Sequence, residues 1–242
     1  MISPDWPAPD NIKAFSTTRQ GGFSIAPYDS FNLADHVGDD INSVKKNRDL
    51  LALQAHLPES PRWLKQIHGA TVAKASQWQQ GAEADAIVAQ QNNQVCVIMT
   101  ADCLPILLCN QQGDCVAAIH AGWRSLAAGI IENTLAQFNG PGQNIMAWLG
   151  PAIGPSQFEV GHDVVSAFTD QMTSAAVAFQ QTDVDHYLAD IYLLARQRLT
   201  SSGVNAIFGS EQCTVSNPSH FFSYRRDGIT GRMASMIWIG PK

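Results

Sequence analysis

Short apolar runs along this chain alternate with segments in which apolar residues return every three or four positions. "IKAFSTT" (Ile12 to Thr18) reads as a first strand, closed by Gly21-Gly22. "DDINSVKKNRDLLALQAHL" predicts a helix capped by Asp39 or Asp40 and stopped before Pro58. Short strands are predicted over Trp63 to Ile67, Thr71 to Ala75 and Ala84 to Val88. "QVCVIMT", "LPILLC" and "CVAAIH" are apolar runs of strand length, the last two separated by a turn at Gly113, and such runs belong to the buried centre of a sheet. In "RSLAAGIIENTLAQF", Leu126, Ile130, Ile131, Leu135 and Phe138 form one helical stripe that begins just after Trp123. A strand over Asn144 to Leu149, helices near Asp163 to Phe168 and Leu188 to Ser201, and closing strands over Asn205 to Phe208 and Gly231 to Ile239 complete the pattern. The class is α/β: a single domain over residues 1–242, with a mixed central β core flanked by helices. No internal repeat or linker-like tract divides it.

Charge narrows the partners. Fifteen Lys and Arg against 21 Asp and Glu give a net charge of −6, and no basic run exceeds the pairs Lys45-Lys46 and Arg225-Arg226. Nucleic acid is therefore not an expected partner. "MISPDWPAPD" lacks the apolar stretch of a secretory signal, and Asp102 and Pro105 interrupt the best membrane-spanning candidate, so a cytoplasmic protein without a membrane contact is expected. No sustained heptad seam appears, which makes a monomer the expectation.

Sulfur and imidazole change the picture more. Cys96, Cys109 and Cys115 lie inside apolar strands and read as packing residues, with no structural disulfide expected among the five cysteines. Cys103 differs: it follows Asp102 where the strand pattern breaks and precedes Leu104-Pro105. His120 ends "CVAAIH" and precedes the small pair Ala121-Gly122, and His68 in "KQIHGA" again ends a strand before a glycine. Two strand-end histidines and one strand-break cysteine fit a three-ligand zinc set, although their separation along the chain does not show that they converge.

"STTRQGGFS", "FNLADHVGDD", "QIHG", "EADAIV", "TADCLPILL", "AAIHAGWR" and "CTVSNPSHFFSYRRDGITGRM" occur in this order from Phe15 to Ile237. In these motifs the chain resembles the YfiH family, also called laccase-domain or polyphenol-oxidase-like proteins. The resemblance implies an α/β domain and a zinc ion held by His68, Cys103 and His120. It also implies a purine nucleoside phosphorylase that cleaves adenosine, inosine, guanosine and methylthioadenosine, using phosphate, and that deaminates adenosine. Two departures stand out: Ser125 follows "HAGWR" where the family usually has Gly, and Ala89 follows "DAIV" where it usually has Thr.

For such chemistry a three-ligand zinc leaves a position for water and lowers its pKa. Asp102 and Asp85 are the candidates to move the proton, and each is equally suited to accept hydrogen bonds from a nearby loop. Arg19, beside two glycines, is the candidate for phosphate, with Asn32 and His36 for ribose hydroxyls and Arg124 as a further binding residue. Two other activities fit the same residues. Cys103 as a nucleophile with His120 as base would make an amide hydrolase, for example one that edits a cell-wall precursor. Cu2+ in place of Zn2+ would make a polyphenol oxidase, but seven histidines with no HxH pair cannot furnish a four-copper set.

Overall fold

The structure, a computed structural model, describes residues 1–209 and 212–241. Strand β1 (Ile12–Ser16) leads through a long loop to helix α1 (Ile41–Gln54), which Asp40 caps by accepting from the backbone N–H groups of Asn42 and Ser43. The strands β2 (Val72–Lys74), β3 (Ala86–Ala89), β4 (Cys96–Thr100), β5 (Leu104–Asn110) and β6 (Val116–Ala121) follow. Helices α2 (Trp123–Ala127) and α3 (Ile130–Leu135) come next, then β7 (Ile145–Leu149), β8 (Glu159–Gly161), α4 (His162–Thr169), β9 (Phe179–Gln181) and β10 (His186–Ala189). The series closes with α5 (Ile191–Ser201), β11 (Ala206–Gly209), α6 (Tyr224–Asp227) and β12 (Met233–Ile239). No helix among the described residues is long and apolar enough to cross a membrane.

A mixed six-stranded sheet, β11-β7-β5-β6-β3-β2, stacks on a three-stranded antiparallel sheet, β1-β12-β4. The two-residue period of a strand assigns every apolar side chain to a layer. Leu104, Ile106 and Leu108 of β5 with Ala117 and Ile119 of β6 face the core beneath α2 to α5. Leu107, Cys109, Val116 and Ala118 point the other way and meet Cys96, Ile98, Ile237 and Ile239 between the two sheets. The far face of the smaller sheet is covered by Leu51 of α1 and by Phe31 and Leu33 of the loop before it. By the same alternation His120 is on the inter-sheet face of β6, as Thr100 is on that of β4.

The mixed α/β core stands as expected from the sequence, with three local differences. The single helical stripe after Trp123 is two helices, because Gly129 takes φ +87° and breaks the turn while the apolar spacing continues through it. Leu188 belongs to β10, and α5 starts only after Asp190, whose carboxylate accepts from Leu193 N. Trp63 to Ile67 forms only isolated bridges, since the Gln66 side-chain amide, not its backbone, pairs with Met99 N and O at 2.7 and 2.8 Å. The five cysteines are free, and burial pushes the Cys109 thiol up to about 12, which suits a packing residue.

Candidate metal centre

His68, Cys103 and His120 converge, each at the end of a core segment, and their ligand atoms all lie within 4.8 Å of one another. Among the described residues no other group of three or more His, Cys, Asp or Glu side chains meets in this way. The two imidazoles stand nearly perpendicular, 83° apart with centroids at 4.8 Å. Exposure grades across the set: His120 is buried, Cys103 partly buried and His68 exposed, so the cluster opens outward on the His68 side.

Two of these positions are set by unusual backbone. His68 has φ +59° and Asp102, just before Cys103, has φ +90°, conformations that L residues adopt at a cost of about 1 kcal/mol or more. Buried carboxylates hold both. Asp85 is fully buried and accepts from the backbone N–H of His68 at 2.9 Å and Gly69 at 2.7 Å, and its Oδ1 lies 2.8 Å from His120 Nδ1. That contact fixes the ring and leaves Nε2 to face the cluster. Asp102 accepts from Thr214 Oγ1 at 2.6 Å, Ser223 Oγ at 3.0 Å and Arg225 N at 2.7 Å. Both carboxylates are thus saturated by protein donors.

Electrostatics prepare the sulfur. Burial opposes a Cys103 thiolate, but attraction to His120 and hydrogen bonds from His120 and His68 outweigh it, and the thiol is pulled down to about 6. Burial likewise opposes an imidazolium at His120, yet the Cys103 sulfur and Asp85 draw it up to about 9. For Asp85, too, desolvation is overcome by the His120 and backbone donors, so its carboxyl stays below the usual range.

The donor set suits a small, borderline-soft divalent cation, with one thiolate and two imidazoles. Gly122 lets the three side chains pack close to the backbone. A Cβ there would stand 3.1 Å from Cys103 Sγ, 3.3 Å from His68 Cδ2 and 3.6 Å from His120 Cε1.

The cluster forms the wall of a cavity of about 450 Å³ that is also lined by His36, Gln66, Thr100, Tyr224 and Arg232. On the other side of Cys103 is a smaller apolar cavity of about 200 Å³ bounded by Trp123, Ile153, Phe158 and Ile191. Of the binding residues suggested by the sequence, only His36 reaches the larger cavity. Asn32 is fully buried and uses its amide on Ala34, Asp39 and the backbone of Arg232. Arg124 is exposed and stacks on Trp123. Arg19 lines a separate cavity with Asp29 and Pro218. Arg232 and Thr100 went unassigned in the sequence, although each lies within a quoted motif, "DGITGRM" or "TADCLP".

A family model described as multi-copper polyphenol oxidoreductase laccase matches residues 13–240. A protein of Escherichia coli strain K12 named purine nucleoside phosphorylase YfiH is 51% identical over 240 residues, covering 99% of this chain and 98% of its own length. One from Haemophilus influenzae, named purine nucleoside phosphorylase, is 49% identical with 98% of each covered. Among solved structures, Neisseria meningitidis protein NMB0706 superposes with a TM-score of 0.96 at 47% identity over 99% of both chains. YlmD from Geobacillus stearothermophilus gives 0.88 at 31% identity, over 96% of this chain and 93% of its own.

Proposed function

The chain belongs to the family described as multi-copper polyphenol oxidoreductase laccase, and from that premise we propose that it is a zinc-dependent purine nucleoside phosphorylase that also deaminates adenosine. The observation that carries this is the three-donor cluster opening onto a cavity of about 450 Å³, within the usual size range of small-molecule sites. Adenosine, inosine, guanosine and methylthioadenosine are the substrates proposed. Zinc held by His68, Cys103 and His120 would supply a Lewis acid able to acidify water.

The rest falls to the protein. Asp85 holds His120 in one tautomer and the 67–69 backbone in place, which keeps the imidazole available as a ligand. Because both Asp85 and Asp102 are saturated acceptors, we assign them positioning roles. In phosphorolysis a phosphate oxygen bonds to C1′ of the ribose, the C1′–N9 bond breaks, and its electron pair leaves on the purine, which takes up a proton. The products are ribose 1-phosphate and free base. Deamination adds water at the amino-bearing purine carbon and releases ammonia.

Chromatography of products from adenosine and inosine, with and without phosphate, tests the proposal. Base together with ribose 1-phosphate is expected only with phosphate, and inosine from adenosine in either case. Free ribose as the sole sugar product would make the protein a hydrolase. Oxygen consumption with phenols in copper-free protein is expected to be absent, since the cluster supplies one set of three donors and not a four-copper array. A second activity has one observation in its favour: in the metal-free site Cys103 and His120 form a thiolate–imidazolium pair, the arrangement of a thiol hydrolase acting on an amide.

A further inference from the structure

We propose that Arg232 and Thr100 form an oxyanion subsite in the cavity beside the ligand cluster, and that it holds inorganic phosphate, the second substrate of the phosphorolysis proposed above, in place of Arg19. Thr100 is 2% exposed at the end of β4, and its Oγ1 has no hydrogen-bond partner among the described residues. Ser125 Oγ and Thr230 Oγ1 share that state, but of these hydroxyls Thr100 is the one whose residue lines this cavity, where a group from outside the protein can meet it. Arg232 is fixed but not spent. Its backbone N–H donates to Asn32 Oδ1 at 2.9 Å, its Nη1 donates to the carbonyls of Thr230 and Gly231 at 2.8 and 3.0 Å, and its guanidinium lies 5.8 Å from the Tyr224 ring centroid. Nε and Nη2 find no acceptor among the described residues. A planar fork with free N–H groups lining the same cavity as a free hydroxyl matches a tetrahedral oxyanion.

No Asp or Glu lines this cavity, although the Cys103 sulfur and the Asp102 carboxylate act on Arg232 electrostatically, and both polar atoms of Gln66 are committed to Met99. A divalent cation on one thiolate and two neutral imidazoles would add a net single positive charge to the same wall, which the Asp85 carboxylate behind His120 offsets. Arg19 offers the opposite arrangement. Its Nε donates to Asp29 O at 2.8 Å and its Nη1 to Pro218 O at 3.2 Å, its Nη2 lies 3.4 Å from the Asp29 carboxylate, and the group stacks 4.7 Å from Phe222. The carboxylate of Asp29 also lines that cavity, where it would repel phosphate.

Calorimetric titration of zinc-loaded protein with inorganic phosphate, alongside KM for phosphate with inosine, tests the subsite. Arg232→Gln is expected to weaken phosphate binding about 10- to 100-fold, the scale for a lost charged hydrogen bond. Thr100→Val, nearly the same shape, should weaken it by about 3- to 10-fold, Arg232→Lys should fall between, and Arg19→Ala should leave it unchanged. Unchanged phosphate affinity in Arg232→Gln and Thr100→Val, or a loss confined to Arg19→Ala, overturns the assignment. Should Arg232→Gln fail to fold, Thr100→Val decides alone. The titration needs no turnover, so nucleoside cleavage without phosphate would refute the phosphorylase proposal while the binding data still judged the subsite.

Discussion

Asp85 and Asp102 are both buried carboxylates at the margins of core strands, and both are saturated, yet they fasten different things. Asp85 takes its donors from residues 67–69 and from His120, so it closes the ligand cluster upon itself. Asp102 takes its donors from Thr214, Ser223 and Arg225, positions 112 to 123 residues away, so it docks a distant segment beside Cys103. For the metal proposed above, affinity and cavity shape would therefore rest on separate carboxylates, and mutation can pull them apart.

The largest effect should come from removing the cluster that Asp85 serves. The double variant Cys103→Ala with His120→Ala should lose essentially all of the one zinc per chain expected in freshly purified protein, because a single remaining histidine provides too little coordination. Full zinc content measured in that variant would remove the basis of the contrast. The same metal analysis is sharpened by alkylation: Cys103 should resist modification in zinc-loaded protein and react readily once the metal is chelated, whereas ready reaction in loaded protein would favour a thiol nucleophile.

Next in size is Asp85→Asn, which puts an amide where three backbone N–H groups and an imidazole need an acceptor. Zinc affinity should fall about 10- to 100-fold, as judged by competition with a chelator. The variant also carries a pH signature. Because the folded Asp85 carboxyl lies below its unfolded value, its contribution to stability is fully present above about pH 5 and is lost as pH falls through the folded value. Below about pH 5, where His120 is charged in both the folded and the unfolded chain, the difference in unfolding free energy between wild type and Asp85→Asn, both metal-free, should shrink as pH falls. A difference that grows on acidification would contradict the sign.

Asp102→Asn should be the mildest for the metal and distinct in kind. Zinc affinity should stay within a few-fold of wild type while unfolding free energy drops by about 1–3 kcal/mol and the KM for nucleoside rises, because the loop carrying Thr214, Ser223 and Arg225 loses its anchor. Equal zinc loss in the two aspartate variants would erase the distinction.

The ligand cluster was legible only in part: His68 and His120 each end an apolar run before a small residue, and Gly122 shows why such a neighbour is needed, but Cys103 precedes Leu104-Pro105 and the set of three rests on the family resemblance. The core strands were legible because their signal, the apolar run, is local. What the two aspartates do was not, since the partners of Asp102 lie more than a hundred positions away and no local pattern encodes them. Arg232 gives no signal of its own, because an arginine beside a glycine in a polar loop looks like a solvated turn, whereas Arg19 stands out for the two glycines beside it, whose backbone N–H groups could meet an anion. The break at Gly129 escaped notice because apolar spacing survives a kink that the backbone does not.

One further consequence follows from β12 standing between β1 and β4. Ser16 and Ser235 bond across a gap of 219 positions, so the smaller sheet has no middle until the last of its strands emerges. A ribosome adding roughly 5–20 residues per second leaves β1 waiting on the order of ten to forty seconds for its neighbour. Throughout that interval β1 lacks its neighbour, β4 lacks it from the time it emerges, and Thr100 has not yet met the stretch of chain that brings Arg232. Metal that reached the nascent chain early would meet His68, Cys103 and His120 before the wall opposite them had been made, so the proposed metal would find its finished site only after synthesis.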